Sequence, residues 1–415
     1  MRRISSEMAS NDMRFSMKNR DFRLSEIQKS MGSQSRINSL RDDPIAASRA
    51  TRLQSSTFRM NRYNTNIQYA QGQFAVAEGY LNESVNIMQR VRELAVQGGH
   101  GTYAKEDLSM MAVEVNELLK ELVSVANAVD GESKSLFGGD VTGSRPFTVS
   151  ESRVAGMNGN VVTAVNYNGS IGEKLAEISE GTTVPVNIPG NRVFWAEQQQ
   201  IYSSVNTSGF SVENDSQISI DGVFIELKTG DSVYDVISKI NDSDASVKGS
   251  IDPVTNSIVL TSTEPHQVWL DEDAAGTVLK DLGLISTRGS KPPANLNSDV
   301  KVSGGSLFDM VIQLRDNMLK GDSESIGGSG IKGIDNALSN LLTNVSKLGA
   351  MDNRIGMTSQ RIAVEIEENT RINSQAVDLD MTEAAMEMKM LELTQKSSYS
   401  AASKILQPKL MDFLR

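Results

Sequence analysis

Leu53, Met60, Ile67, Phe74, Leu81, Met88 and Ala95 recur at an unbroken spacing of seven, with polar residues filling most of the places between. That pattern predicts the seam of a long α-helix lying against other helices. The residues three further on, Ser56, Tyr63, Ala70, Ala77, Ser84 and Val91, are mostly small, so a neighbouring backbone can come close. Asp43 can accept the free amides at the start, Pro44 suits the first helical position, and Gly98-Gly99 marks the stop. Some fifty residues rising 1.5 Å each make a rod of about 80 Å. A helix of that length needs partners to be stable.

Thr102 is placed to cap a second helix, with Glu106 and Asp107 near its positive end. Leu108, Met111, Val115, Leu118, Leu122, Val125 and Val129 then alternate by three and four as far as Asp130-Gly131. Two such helices joined by a Gly-rich turn are expected to form an antiparallel hairpin. From about residue 140 to 300 the chain turns to Gly, Ser, Thr, Asn and Val. Ile218 to Ile220, Asp221-Gly222 and Val223 to Leu227 read as a β-hairpin with a two-residue turn. Asp231 is expected to cap a short helix carrying Val233, Val236, Ile237 and Ile240. Strands over 246–251, 257–261 and 268–270 follow, then a short helix through Leu279 and Leu282. Gly327 to Gly333 lacks phosphate-loop spacing and reads as a linker.

Helical periodicity returns in the last third. Ile334, Leu341, Leu348, Ile355 and Ile362 repeat at seven, with Leu338, Val345 and Ile366 between them, until Asn369 and Asn373 break the seam. An amphipathic stretch from Met381 to Leu406 is rich in Met and Leu. Each end therefore offers the other an apolar seam. The expected fold is mainly α with a β-rich insertion: an elongated antiparallel helical bundle of N- and C-terminal arms, with a central α+β domain projecting from one end. The expected divisions are 1–43, a terminal segment disordered in the monomer; 44–139, half of the rod; 140–305, the insertion, with a module at 218–285; 306–375, the other half; and 376–415, an assembly helix. The rod core is assigned to Leu53, Met60, Ile67, Phe74, Leu81, Met88, Leu108, Val115, Leu122, Leu341, Leu348, Ile355 and Ile362.

Composition narrows the function. The net charge of −11 disfavours nucleic acid and anionic membrane as partners, and the absence of cysteine removes disulfides, thiolate nucleophiles and Cys-based zinc sites. His100 and His266 are read as surface-loop residues. Asp271-Glu272-Asp273 and Asp242-Ser243-Asp244 are read as solvated turns rather than Ca²⁺ loops, since no EF-hand register exists. No catalytic, cofactor or metal-binding residue is assigned, and no enzyme is expected. The first thirty residues lack the apolar core of a secretory signal, and no stretch reaches the ~20 apolar residues of a membrane span.

Ser35-Arg36-Ile37-Asn38-Ser39-Leu40-Arg41-Asp42-Asp43-Pro44-Ile45-Ala46-Ala47 closely resembles the N-terminal domain of bacterial flagellins. Leu81-Asn82-Glu83-Ser84, Met88 to Gln97, Glu114 to Leu119 and Leu136-Phe137-Gly138-Gly139 continue the likeness in order. The central module resembles the repeat inserted in flagellins and hook-associated proteins. Asp42-Asp43-Pro44 and the ending Leu410-Met411-Asp412-Phe413-Leu414 look like the hook-associated branch, whereas the terminal Arg415 is flagellin-like.

The resemblance implies a structural protein at the junction of hook and filament. It also implies type III export, a ring of copies between the hook-side junction protein (the first hook-associated protein) and flagellin, and a cytoplasmic export chaperone on the C-terminal helix. The location follows as the flagellum, secreted, or periplasmic in a spirochaete. Independently of it, Met8, Phe15 and Phe22 repeat at seven before Gly32 and many polar residues intervene, so both termini are expected to order only when sibling subunits cover them. The assembly contacts are placed on Phe15, Phe22, Leu24, Ile27, Met31, Met388, Leu391, Ile405, Leu406, Leu410, Phe413 and Leu414. Flexible Met and Leu faces suit either the chaperone or bundle packing. A filament subunit, and an adhesin or ligand-binding protein using the central domain, are the alternatives.

Overall fold

A computed structural model describes residues 2–405 except 274, 275 and 288. Three helices open the chain: α1 Arg2–Ser33, α2 Pro44–Gly99 and α3 Lys105–Ala126. The centre holds β1 Phe147–Arg153, β2 Asn160–Tyr167, β3 Leu175–Ser179, β4 Thr182–Pro185, a one-turn α4 Gly190–Val193, β5 Gln200–Tyr202, β6 Ser216–Ile220 and β7 Val223–Leu227. It continues through α5 Val233–Asp242, β8 Val247–Ile251, β9 Ile258–Ser262, β10 Leu270–Glu272, α6 Val278–Asp281 and β11 Lys301–Ser303. Helix returns with α7 Leu307–Lys320, the short α8 Ser323–Ser325, a π-helical turn Ile326–Gly330, α9 Ile331–Val377 and α10 Met381–Ile405.

The chain divides into two units, one of residues 1–65 and 358–415, the other of residues 66–357. In the first, α2 starts as expected: the amides of Ile45 and Ala46 donate to Asp43 Oδ1 at 3.2 and 3.0 Å. Leu53 and Met60 are half-buried, Ile362 is buried, and Asn64 Oδ1 accepts from Ser359 Oγ at 2.9 Å. Asn369 Nδ2 lies 3.6 Å from Met60 Sδ, so the polar break in the seam meets a polarisable sulfur rather than a hydrocarbon.

In the second unit Ile67, Phe74, Leu81, Met88, Leu341, Leu348 and Ile355 are all buried. Burial is deeper than at Leu53 and Met60, and chain outside the two long helices adds cover there: Pro185, Ile188 and Pro265 lie beside Phe74 and Leu348, and α3 lies beside the end of α2 at Arg90 and Glu114. The helices α2 and α3 form the expected antiparallel hairpin, with Arg90 paired to Glu114 at 2.8 Å, and Leu108, Val115 and Leu122 bury. Two details differ from the periodicity. Residues before Lys105 are non-helical and the N-cap is Ala104, not Thr102, with Asp107 reaching back to its amide at 3.3 Å. At the other end α3 stops at Ala126, so Val129 is exposed and bridges Ser135.

The helix α7 packs along α3 and closes an aromatic cluster whose ring centroids stand 5.1–5.7 Å apart: Phe137–Phe194, Phe147–Phe194, Phe147–Phe308 and Phe194–Phe308. Leu136-Phe137-Gly138-Gly139 feeds this cluster. A Cβ on Gly138 would lie 2.3 Å from Val141 O, and Gly139 (φ +65°) would meet Ser170 O at 2.2 Å, so only glycine fits. The Gly-rich stretch after α8 is not a linker. It is helical, buries Ile326, and brings Gly327 Cα within 2.9 Å of where a Gly99 Cβ would stand.

The sheets are antiparallel throughout, with orders β10-β6-β7 and β11-β5-β9-β8 and separate hairpins β1-β2 and β3-β4. The Asp221-Gly222 turn takes φ +52° and +80°, the two positive values that a two-residue hairpin with right-handed twist needs. Capping of α5 falls one residue later than expected. Ser232 and Asp235 cap each other reciprocally, while Asp231 pairs with Lys239.

Candidate assembly surface

The two terminal helices of the first unit lie antiparallel. Arg36 N donates to Val377 O at 2.8 Å and Leu379 N to Gln34 O at 3.2 Å where the strands of chain enter them. Further along, Arg20 donates to Ser398 Oγ and Gln395 to Asp21 Oδ1. The covered face of α1 runs Met13, Met17, Arg20, Leu24, Ile27 and Met31, an alternation of four and three in which every member is half-buried. Opposite it on α10 run Ala384, Met388, Leu391, Gln395 and Ser398 with the same alternation.

This pairing divides the residues assigned to assembly. Leu24, Ile27, Met31, Met388 and Leu391 face the chain's own partner helix, not solvent. Phe15 and Phe22 point outward, 67% and 62% exposed, in line with Met8. Ile405 ends α10, and Leu406, Leu410, Phe413 and Leu414 lie outside the described residues. On α10 the open face carries residues that periodicity did not single out: Met386, Met390 and Leu393, 64%, 73% and 68% exposed. The signal was present as a second four-three alternation interleaved with the first, hidden by the Met-rich composition of the whole helix. Contiguous exposed apolar stripes of this kind mark contact surfaces.

In the second unit the buried polar groups hold structure. Arg315 is wholly buried, with Nη1 donating to Asn116 Oδ1 (3.1 Å) and Val162 O (2.5 Å) and Nη2 to Asp316 Oδ1 (2.7 Å). His266 is buried too, which corrects its reading as a surface residue. Its Nε2 faces Asp221 Oδ2 and its Nδ1 faces Glu264 O, both at 2.8 Å, tying the β6-β7 turn to the chain before β10. Glu272 is buried and accepts Leu279 N at 2.9 Å, and Asp273 accepts Gly276 N at 2.6 Å, so these carboxylates serve turns. Among the described residues no group of three or more His, Asp or Glu side chains gathers as a metal site, and no helix is long and apolar enough to cross a membrane.

Three family models match the chain: the bacterial flagellin N-terminal helical region over residues 4–142, the flagellin C-terminal helical region over 331–414, and the flagellin hook IN motif over 210–264. With both helical ends and the inserted motif matched in order, the chain belongs to the bacterial flagellin superfamily. Among its relatives, flagellin FlaB1 of Treponema pallidum is 34% identical over 104 residues, which cover 25% of this chain and 36% of that one. Flagellar hook-associated protein 3 of Salmonella typhimurium is 24% identical over 288 residues, 69% of this chain and 83% of that one. The crystal structure of flagellar hook-associated protein 3 from Legionella pneumophila aligns with 78% of this chain and 97% of its own, at 18% identity and a TM-score of 0.48. The chain thus matches about a third of the length of its Treponema relative and most of its hook-associated ones.

Proposed function

We propose that the protein is a structural subunit of the bacterial flagellum that joins hook to filament by helical self-assembly after type III export. One observation carries the reading. The chain pairs its own ends through α1 and α10, yet leaves Met8, Phe15, Phe22, Met386, Met390 and Leu393 exposed along them. A lone molecule gains nothing from that exposure. An array of copies buries it, at about 25 cal/mol per Å² of apolar surface. The match to a hook-associated protein over 69% of the chain, together with Asp42-Asp43-Pro44 at the start of α2, supports the junction within the superfamily.

The partners that follow are the hook-side junction protein, flagellin and copies of itself in a ring, with an export chaperone on α10 before secretion. In the free monomer α1 and α10 shelter only each other, and their outer faces are covered on assembly. A filament subunit is the second reading, favoured by the 34% identity to a flagellin across 104 residues. Complementation separates the two. A null mutant that completes its hooks but sheds flagellin monomers supports the junction, whereas loss of filament protein itself supports the filament subunit.

A further inference from the structure

The outward faces of the two terminal helices are built partly of sulfur. On α10, Met386 and Met390 stand about one helical turn apart and are 64% and 73% exposed. On α1, Met8 is 63% exposed, in line with Phe15 and Phe22. Between the two sulfurs of α10 in sequence, Met388 turns into the covered seam and is half-buried, as Met13 and Met17 are across from it. The chain has no cysteine, so these thioethers are the softest nucleophiles that it presents to an oxidant in solution.

We propose that Met8, Met386 and Met390 are oxidation sites that switch the unassembled subunit off. The proposal rests on the assembly reading above and adds its regulation. The oxidant is hydrogen peroxide. A sulfur lone pair attacks one peroxide oxygen, the O–O bond breaks, and the departing hydroxide takes the proton left on the transferred oxygen to become water. The thioether is oxidised to a sulfoxide and the peroxide is reduced. Each sulfoxide sets a strong acceptor in a face that assembly buries, beside Phe15, Phe22 and Leu393, whose side chains carry no donor to meet it. Those neighbours do not undergo the reaction, so the methionines make the face sensitive. Once assembly covers the sulfurs they are out of reach, so the oxidant selects free copies and spares assembled ones.

Full-length chain is treated with graded hydrogen peroxide and mapped by mass spectrometry, and parallel samples are co-sedimented with hooks that carry the hook-side junction protein. Met386 and Met390 are expected to oxidise at least about fivefold faster than Met388. Oxidised chain is expected to bind at least about tenfold more weakly, and treatment with the two epimer-specific methionine sulfoxide reductases to restore it. A chain with Met8→Leu, Met386→Leu and Met390→Leu, swaps that nearly conserve volume, is expected to keep its binding after the same treatment. Met110 and Met357, 67% and 65% exposed outside these faces, still oxidise in it. Should that variant fold poorly, the mapping ratio and the reductase rescue in wild type decide. Equal oxidation of Met388 and its two neighbours overturns the proposal. Wild-type binding unchanged by sulfoxide, or a leucine variant that loses binding as wild type does, overturns it while leaving the assembly reading standing. Untreated chain that never binds overturns both.

Discussion

Arg315 and Asn116 meet side chain to side chain at 3.1 Å inside the second unit, joining α7 to α3 through a guanidinium that has no exposure to solvent. A buried cation is tolerated only where its donors are satisfied, and here Val162 O and Asp316 Oδ1 take the others. Arg315→Ala removes the donor and strands Asn116 Oδ1 and Val162 O. The expected loss is about 3 kcal/mol, in the range for breaking a buried charged network. Guanidinium-chloride unfolding of the full chain measures it, and a loss below about 1 kcal/mol, the worth of an ordinary exposed pair, speaks against the assignment.

Two glycines separate structural need from tolerance. Gly139 has φ +65° and a Cβ there would lie 2.2 Å from Ser170 O, so Gly139→Ala is expected to destabilise by about 2–4 kcal/mol. Gly72 lies within α2 with nothing within 4 Å of an added Cβ. Gly72→Ala is therefore expected to stabilise by about 0.5–1 kcal/mol, since alanine restricts the unfolded chain. Thermal melts of the two variants should move in opposite directions. Equal shifts would contradict the packing described around residues 138–142.

Acid should weaken the module that holds β6 to β9. Lys239 beside Asp231, the Thr229 amide on Asp215, the Ser232 hydroxyl on Asp235 and the Val254 amide on Asp252 each hold a carboxyl below its ordinary value. Carboxyls depressed on folding add stability above the ordinary Asp value of about 3.9 and lose it as pH falls through the folded values. Unfolding followed by circular dichroism is expected to begin below about pH 4. Asp231→Asn is expected to flatten that acid limb while lowering stability at neutral pH. An acid limb unchanged by this substitution would falsify the role of the Asp231–Lys239 pair.

The pairing of the terminal arms can be tested in the same way. Arg20 meets Ser398 across the covered seam through the tip of its side chain, so Arg20→Cys with Ser398→Cys is expected to be closed within the dilute monomer by a short, reducible bis-maleimide that replaces that reach. Moving one thiol to the outer face, as in Phe22→Cys with Ser398→Cys, should abolish that closure. Gel mobility with and without reductant reads both. Efficient closure of the second pair would mean that α1 turns a different face to α10.

Much of this was legible in the sequence, for physical reasons that differ by region. The period of seven from Leu53 to Met88, the Asp43-Pro44 start and the Asp221-Gly222 turn are local signals, each set by a few residues and an unavoidable backbone geometry. What escaped depends on distant packing. Arg315 looks like an ordinary surface cation of an amphipathic helix until Asn116 and Val162 are brought to it. His266 is two residues past a loop glutamate in sequence, yet buried against Asp221 from a hairpin 45 positions away. In α10 a helix apolar on two faces offered two seams, and only the partner helix decides which is covered. Periodicity chose Met388 and Leu391, which α1 already covers, over Met386, Met390 and Leu393, which stand exposed.

The central claim is that exposed apolar stripes on paired terminal helices drive assembly onto the hook. Binding of the full chain to purified hooks that carry the hook-side junction protein, read by co-sedimentation, tests it most directly. Wild-type chain is expected to bind and saturate. A chain with Phe15→Ser, Phe22→Ser and Leu393→Ser, three outward positions, is expected to keep its circular dichroism and melting temperature yet fail to bind. Binding of that variant as tight as wild type would contradict the claim.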